Sequence, residues 1–463
     1  MKNVFNEKHP ILFATAWSTR AISLAINVVL ISYLAFYCTD ILGMGAETVG
    51  LILLLSKIVD GCTDLVVGYI IDRTNTRWGK ARPYEWFIVG VWGFSILLFS
   101  VPDIGGVGQI IWVFVFYTLI NSVCATCLNG CDSVYMVRSI RKENNRVLVL
   151  SVSSIIGMLV VMIFSVIFPL MISGMGTTRE GWIMMTVIFA VPLTLIGLLR
   201  FFLIKEVADE STVEEKRTGD GADAVLVRKV GLKATIKAIF GNGYILIIAG
   251  TLLIVNVINS MGTVTTYYFK YVIGDISLQS LASMASLSTL FLLMIYPFLQ
   301  KKMGNTNLLR AGALLGIVGI VIRLAGQTNM TTIILGSALA AIAIMPVSMM
   351  INLYLIDCMD YGEWKTNVRL EGSLASLTSF TSKLGAALAS AVTGFVMGLA
   401  GYDGTLVEQS AAANRAIVGL YNVLPLLMFA FLFLLSIAYN LDKKLPMIRE
   451  ELANRKGKRG EQD

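Results

Sequence analysis

Long apolar runs separated by short polar turns dominate the chain. A membrane-spanning helix needs about 20 mostly apolar residues. Twelve stretches qualify: 11–39, 47–71, 84–102, 109–137, 147–173, 181–203, 243–268, 279–299, 308–326, 330–358, 372–399 and 415–440. Glycine-rich turns punctuate them, GMG at 43–45, DIGG at 103–106 and GMG at 174–176. The longest polar gap, 204–242, splits the spans six and six. GYIIDRTNTRWGKARP follows the second span and YPFLQKKMGNTNLLR the eighth, each a span end, a polar turn and then basic residues. The pattern predicts an all-α polytopic membrane protein of twelve helices in two pseudo-symmetric six-helix bundles, 1–203 and 243–440. Between them lies a cytoplasmic central loop, 204–242, and after them a cytoplasmic tail, 441–463. Duplicated architecture of this kind belongs to transporters whose substrate site lies near the midplane.

Composition agrees. Of 463 residues 56% are hydrophobic and only 14% charged, against about 25% charged in soluble domains. The net charge of +7 would suit nucleic acid, but its distribution gives a different reason. Turns after odd-numbered spans carry only Arg179 and Lys270, with Arg323 and Arg415 at span edges. Turns after even-numbered spans carry Arg73, Arg77, Lys80 and Arg82, then Arg138, Arg141, Lys142 and Arg146, and later Lys301, Lys302, Arg310, Lys365 and Arg369. The central loop and the tail are basic as well. By the positive-inside rule both termini are cytoplasmic and the protein sits in the cell membrane, with no nucleic-acid partner required. Within the loop, Lys229, Lys233 and Lys237 recur every four residues among apolar ones, which suits either a basic amphipathic helix on the inner leaflet or a soluble linker helix. MKNVFNEKHP shows no cleavable signal pattern. Cys124, Cys127 and Cys131 have helical spacing and no histidine nearby, so they read as small packing residues.

Ionisable groups inside spans are costly and mark a pathway or a pair. Here they are Arg20, Lys57, Asp60, Asp64, Asp132 and Lys383. Asp60 and Asp64 are one helical turn apart, with Thr63 between them. Oxygen ligands of this kind suit Na⁺ or Li⁺, and without a metal ion repulsion and desolvation favour a proton. Lys57, one turn earlier, either neutralises the vacant site or is a structural partner. His9 is the only histidine, so a proton route would use carboxylates.

KIVDGCTD followed by DRTNTRWGKARPY resembles the second helix and following loop of the glycoside–pentoside–hexuronide:cation symporters, the melibiose permease family of the major facilitator superfamily. FYCTDILG (36–43), DYGEWKTNVRLEG (360–372) and SKLGAALASAVTGFVMGLAGY (382–402) extend the resemblance through both halves. It implies sugar uptake driven by Na⁺, Li⁺ or H⁺ through alternating access, with no cofactor beyond the coupling ion. The family's cation-binding aspartates fall on Asp60 and Asp64 and its threonine on Thr126. Its asparagine between the aspartates is Thr63 here, which leaves Na⁺ and H⁺ both open. Its basic residue before the aspartates is Lys57 and its lysine on the eleventh helix is Lys383.

The sugar site departs further. Leu24 and Asn129 stand where the melibiose permease pattern has acidic residues, Ser133 where it has a stacking tryptophan, and Ser154 where it has an arginine. Arg20 and Asp132 each lie one turn to the cytoplasmic side of the lost acids, at similar depth. They form either a substrate clamp, with Arg20 reading a hexuronide carboxylate, or a bridge between two helices. The substrate-site set is therefore Arg20, Asn129, Asp132, Ser133 and Lys383. Asp72, Arg73, Arg77, Lys80 and Arg82 are expected to make and break ion pairs with neighbouring helix ends as the halves rock. The reading is a monomer in the bilayer, with a sugar and a monovalent cation as partners. The rival readings are a lipid or drug carrier on the same scaffold and a non-transporting sugar sensor. No nucleophile motif, histidine cluster or nucleotide loop points to an enzyme.

Overall fold

A computed structural model of the chain describes residues 10–74, 76–140, 142–206, 242–366 and 371–460. His9 and the basic segment around Lys229, Lys233 and Lys237 lie outside the described residues. Among those described there is no β-strand, and the apolar runs are helices. They are α1 (Pro10–Ile41), α2 (Ala46–Arg73), α3 (Phe87–Phe99), α4 (Gly106–Ser139), α5 (Glu143–Met175) and α6 (Arg179–Leu203). The second set begins with α7 (Gly243–Ile273). Next, α8 is built from Gln279–Met284 and Ser288–Met303. Then come α9 (Asn305–Ala325), α10 (Met330–Thr366), α11 (Glu371–Leu399) and α12 (Ala411–Ala438). A further helix, α13 (Leu445–Gly460), occupies the segment expected only as a tail.

Nine of the described helices are long and apolar enough to cross a bilayer. The other three expected spans are present as helix and fall short for visible reasons. Lys57, Asp60 and Asp64 break the apolarity of α2. The regular part of α3 is 13 residues long and begins after the 3₁₀ turn Arg82–Trp86. A 3₁₀ turn at Ala285–Leu287 interrupts α8. Local π-turns, in which the backbone bonds to the fifth residue back, occur at Tyr37–Ile41, Leu119–Ala125, Tyr268–Ile273 and Gly419–Val423.

By contacts the chain divides into two units. One comprises Met1–Val225, Thr265–Ser280 and Ser390–Asn414, and the other Leu226–Val264, Leu281–Ala389 and Arg415–Asp463. In the first, a core of Phe13, Trp17, Val67, Ile71, Cys127, Cys131 and Tyr135 joins α1, α2 and α4. Two of the three closely spaced cysteines thus pack in this core, and all six cysteines of the chain are free thiols. In the second unit α9 and α10 press backbone to backbone. A Cβ on Gly319 would meet the Gly336 carbonyl at 2.7 Å. Lipid offers no hydrophobic drive for helix association, so small residues that permit close van der Waals contact do that work. The same unit holds α13 against the end of α10. Arg449 reaches Asp357 and Asp360 at 3.0 Å each, and the Trp364 indole donates to Glu451 at 2.5 Å.

Candidate functional site

The ionisable residues of α2 and α4 converge. Asp60 is 6% exposed. Its Oδ1 accepts from the Thr126 hydroxyl at 3.1 Å, and its Oδ2 lies 3.8 Å from Lys57 Nζ. Lys57 also donates to Asn121 Oδ1 at 3.4 Å and lies over the Tyr117 ring. A carboxylate and a side-chain amide thus flank one ammonium inside apolar helices, and a hydroxyl bonds the far oxygen of that carboxylate. Such a group of oxygens suits a hard monovalent cation, and the ammonium keeps the carboxylate neutralised in a poor dielectric. Thr63 behaves differently from its neighbours on α2, since its hydroxyl donates back to the Asp60 carbonyl at 3.0 Å. Asp64, one turn on, is half-buried. Lys383 is half-buried on α11, in the other unit.

Arg20 and Asp132 do meet, as their matched depth predicts, at 2.9 Å. They are half of a larger network. Arg200 of α6 lies 2.5 Å from Asp132 and 3.6 Å from Glu85, while Arg20 lies 3.9 Å from Glu85. Two guanidinium groups and two carboxylates therefore balance. Arg200 sits 3.4 Å above the Trp17 ring and 4.8 Å above Tyr135, where its weakly hydrated plane is well matched to aromatic faces. Arg20 also donates to the Leu128 carbonyl. The Arg20 side chain is 4% exposed and that of Asp132 34%. Arg20 is thus enclosed by its partners, whereas Asp132 keeps part of its side chain exposed. Asn129 and Ser133, on the same stretch of α4, are exposed.

The arginine-rich turn after α2 is organised by a residue that side-chain reasoning passed over. Glu206, just beyond α6, accepts backbone N–H bonds from Lys80, Ala81 and Arg82 at 2.9, 2.8 and 2.7 Å. Arg138 of α4 adds an ion pair at 3.8 Å. Arg82 donates to the Phe201 carbonyl at 2.9 Å and stacks on the Phe201 ring. Arg73 and Arg77 lie over Tyr69 and Trp78, and nothing is described for the Asp72 side chain. Successive amides in a turn form an anion-binding concavity, and here the anion is Glu206. Gly79 makes it possible: its φ is +116°, and a Cβ there would come within 2.5 Å of the Glu206 carboxylate. Glu206→Ala should destabilise the protein by ~2–3 kcal/mol, the worth of hydrogen bonds to a buried charge. Gly79→Ala should add backbone strain and a clash. Melting temperatures of both variants check this, and an unchanged value for Glu206→Ala would show the latch to be idle.

A second cluster forms at the opposite ends of the helices, around Asp40. Its carboxylate accepts from Lys270, Tyr271, Tyr402 and Thr39, each at 2.6 Å. Its side chain is fully buried. Burial, then neighbouring Tyr267 and Asp40, raise the Tyr402 phenol well above its usual range, so it stays a donor at any working pH. The FYCTDILG motif thus supplies an acceptor that joins α1 to the ends of α7 and α11. Sequence reasoning also missed Glu85 and Arg200. Both lie near span ends, where a charge ordinarily reaches water, and the only available signal was the need of Arg20 and Asp132 for further partners.

The chain is similar to known proteins along most of its length. The model of the MFS/sugar transport protein family matches residues 20–443. An isoprimeverose transporter of Lactiplantibacillus pentosus is 31% identical, over 95% of this chain and 90% of its own. A glucuronide carrier protein homolog of Escherichia coli (strain K12) is 24% identical, over 92% of this chain and 91% of its own. Among solved structures, that of a D-xylose–proton symporter superposes with a TM-score of 0.58 at 13% identity, over 93% of this chain and 97% of that one, a likeness of fold. The charge-bearing spans, the converging α2–α4 residues and the family match lead to one assignment: the chain belongs to the MFS/sugar transport protein family, as a membrane transporter and not an enzyme.

Proposed function

We propose that the protein is a symporter that couples uptake of a neutral glycoside or pentoside to inward flow of Na⁺ or H⁺ across the cell membrane. It works as a monomer by alternating access, with both termini in the cytoplasm. The observation that carries this reading is the buried Asp60–Thr126–Lys57 group. A carboxylate placed this deep in apolar helices is costly unless it binds something, and a cation that arrives and leaves with the solute is what a symporter requires. Symport also requires cooperative binding, so that neither ligand alone promotes free exchange between sides.

The sugar preference follows from charge balance. Arg20 and Arg200 are both spent on Asp132 and Glu85, so neither is placed to read a uronide carboxylate. Asp132, Asn129 and Ser133 offer acceptors and donors to hydroxyl groups instead. The similarity to an isoprimeverose transporter points the same way.

The test is thermal melting of the purified protein against a panel of neutral glycosides, pentosides and hexuronides, in NaCl, LiCl or choline chloride and at two pH values. One neutral sugar should raise the melting temperature, and more so with the coupling cation, because a ligand that binds only the native state stabilises it in proportion to ln(1 + [L]/Kd). Stabilisation by apolar solutes, indifferent to cations, would instead establish a lipid or drug carrier.

A further inference from the structure

We infer that Asn121 is a ligand of the coupling cation, that its amide oxygen makes the site one for an alkali ion, and that Lys57 is the tethered cation standing in for that ion. This rests on the reading of Asp60 as the ion-binding carboxylate and adds a specificity-determining residue to it.

The argument begins with the backbone of α4. In a regular α-helix residues five apart are about 140° apart around the axis, so Asn121 and Thr126 would face different ways. The residue sharing a face with Thr126 would be Ser122, four earlier. Here α4 passes through the π-turn Leu119–Ala125, and the Thr126 N–H bonds to the Asn121 carbonyl. The Thr126 hydroxyl donates to that same carbonyl at 3.1 Å. The wider turn stacks Asn121 over Thr126. Ser122 is left buried, with its hydroxyl receiving no hydrogen-bond partner among the described residues. Single π-turns inside α-helices often sit at functional sites. This one has a definite consequence: it turns Asn121 toward Lys57 and Asp60.

The orientation of the Asn121 amide follows from its two partners. Its Nδ2 donates to the Tyr117 carbonyl at 3.0 Å, a contact that only the NH₂ group can make. Its Oδ1 accepts from Lys57 at 3.4 Å, a contact that only the oxygen can make. The oxygen is therefore fixed toward the ammonium, which lies between it and Asp60 Oδ2 at 3.8 Å. Thr126 completes the set from the other carboxylate oxygen. Thr63, the residue on α2 between the two aspartates, donates its hydroxyl to the Asp60 backbone carbonyl, while Thr126 and Asn121 of α4 present neutral oxygens to the Asp60–Lys57 pair. Hard cations are held by oxygen ligands of this mixed kind, carboxylate with neutral carbonyl and hydroxyl. An amide oxygen, by contrast, has no proton to exchange at working pH. It serves Na⁺ or Li⁺ and does nothing for a proton carrier. When the alkali ion binds, Lys57 must withdraw, and the exchange of one monovalent cation for another leaves the net charge of the site unchanged.

The experiment measures the concentration of NaCl or LiCl that gives the half-maximal rise in melting temperature of the purified full-length protein, with choline chloride keeping ionic strength constant. Asn121→Leu removes the oxygen, Asn121→Gln displaces it by one methylene and Asn121→Asp keeps it. The first two should raise the half-maximal concentration about tenfold or more, equivalent to ~1.4 kcal/mol per tenfold, and Asn121→Asp should not. The melting temperature in choline chloride reports whether each variant folds. If the leucine variant does not fold, glutamine against aspartate decides. Asp60→Asn separates the two levels of the reading. If it abolishes the alkali response while Asn121→Leu and Asn121→Gln keep the wild-type value, the role of Asn121 is overturned and the cation site stands. If Asp60→Asn itself leaves the response intact, the site lies elsewhere and both readings fall. A wild-type protein that Na⁺ and Li⁺ do not stabilise would also overturn the inference, leaving proton coupling.

Discussion

Asp60→Cys is expected to reduce sugar accumulation to the equilibrium level, with sugar binding still measurable. The residue is nearly buried and holds both Thr126 and Lys57. Removing its charge takes away the carboxylate that faces Lys57 and Thr126 and leaves the Lys57 ammonium without that partner. Breaking a buried pair from one side costs about 3–5 kcal/mol, so lost transport could also reflect a damaged fold. A double variant separates the causes. Lys57→Met with Asp60→Asn leaves no stranded charge and should recover most of the stability without recovering accumulation. Binding, melting temperature and uphill uptake in one preparation check all three statements. If Asp60→Cys accumulates sugar as the wild type does, that carboxylate does not hold the coupling ion.

The second large effect concerns the four-charge network. Arg200→Gln should destabilise the protein by about 3–5 kcal/mol, because it strips Asp132 and Glu85 of their closest shared partner and empties the space above Trp17. Arg20→Gln should act in the same direction. The combination Arg20→Gln with Asp132→Asn is different, since it leaves Arg200 and Glu85 as a balanced pair, and it should regain most of the stability lost by the single variant. Transport then reports on Asp132. If the exposed part of Asp132, 34% of its side chain, meets the sugar, the stable double variant should bind sugar poorly and transport little. Wild-type uptake by that variant would make the network purely structural.

How far the sequence foretold these features depends on where a side chain's partners lie. Hydrophobic runs placed the spans, and the three that the apolarity criterion misses are those with charges, a short regular segment or a break. Helical phase put Lys57 and Asp60 one turn apart on α2, which is regular there, whereas Thr126 of α4 was indicated only by the family resemblance. The same phase argument fails for Asn121, since one extra residue in a π-turn moves every later residue relative to it and leaves no mark in the sequence. Equal depth paired Arg20 with Asp132. It gave no hint of Arg200 or Glu85, which sit near span ends and are carried inward by packing. The arginine-rich turn was read through its side chains as a set of ion pairs, whereas what it offers Glu206 is mainly backbone amide, which every sequence has and no sequence displays.

Uptake by the wild-type protein in sealed proteoliposomes, at equal sugar concentration on both sides and with an imposed inward gradient of Na⁺ or of H⁺, tests cation-coupled sugar symport most directly. One of the two gradients should drive a neutral glycoside or pentoside inward above its external concentration, and an imposed sugar gradient should drive the same ion. A sugar that moves only down its own gradient, unaffected by either ion, would contradict the account.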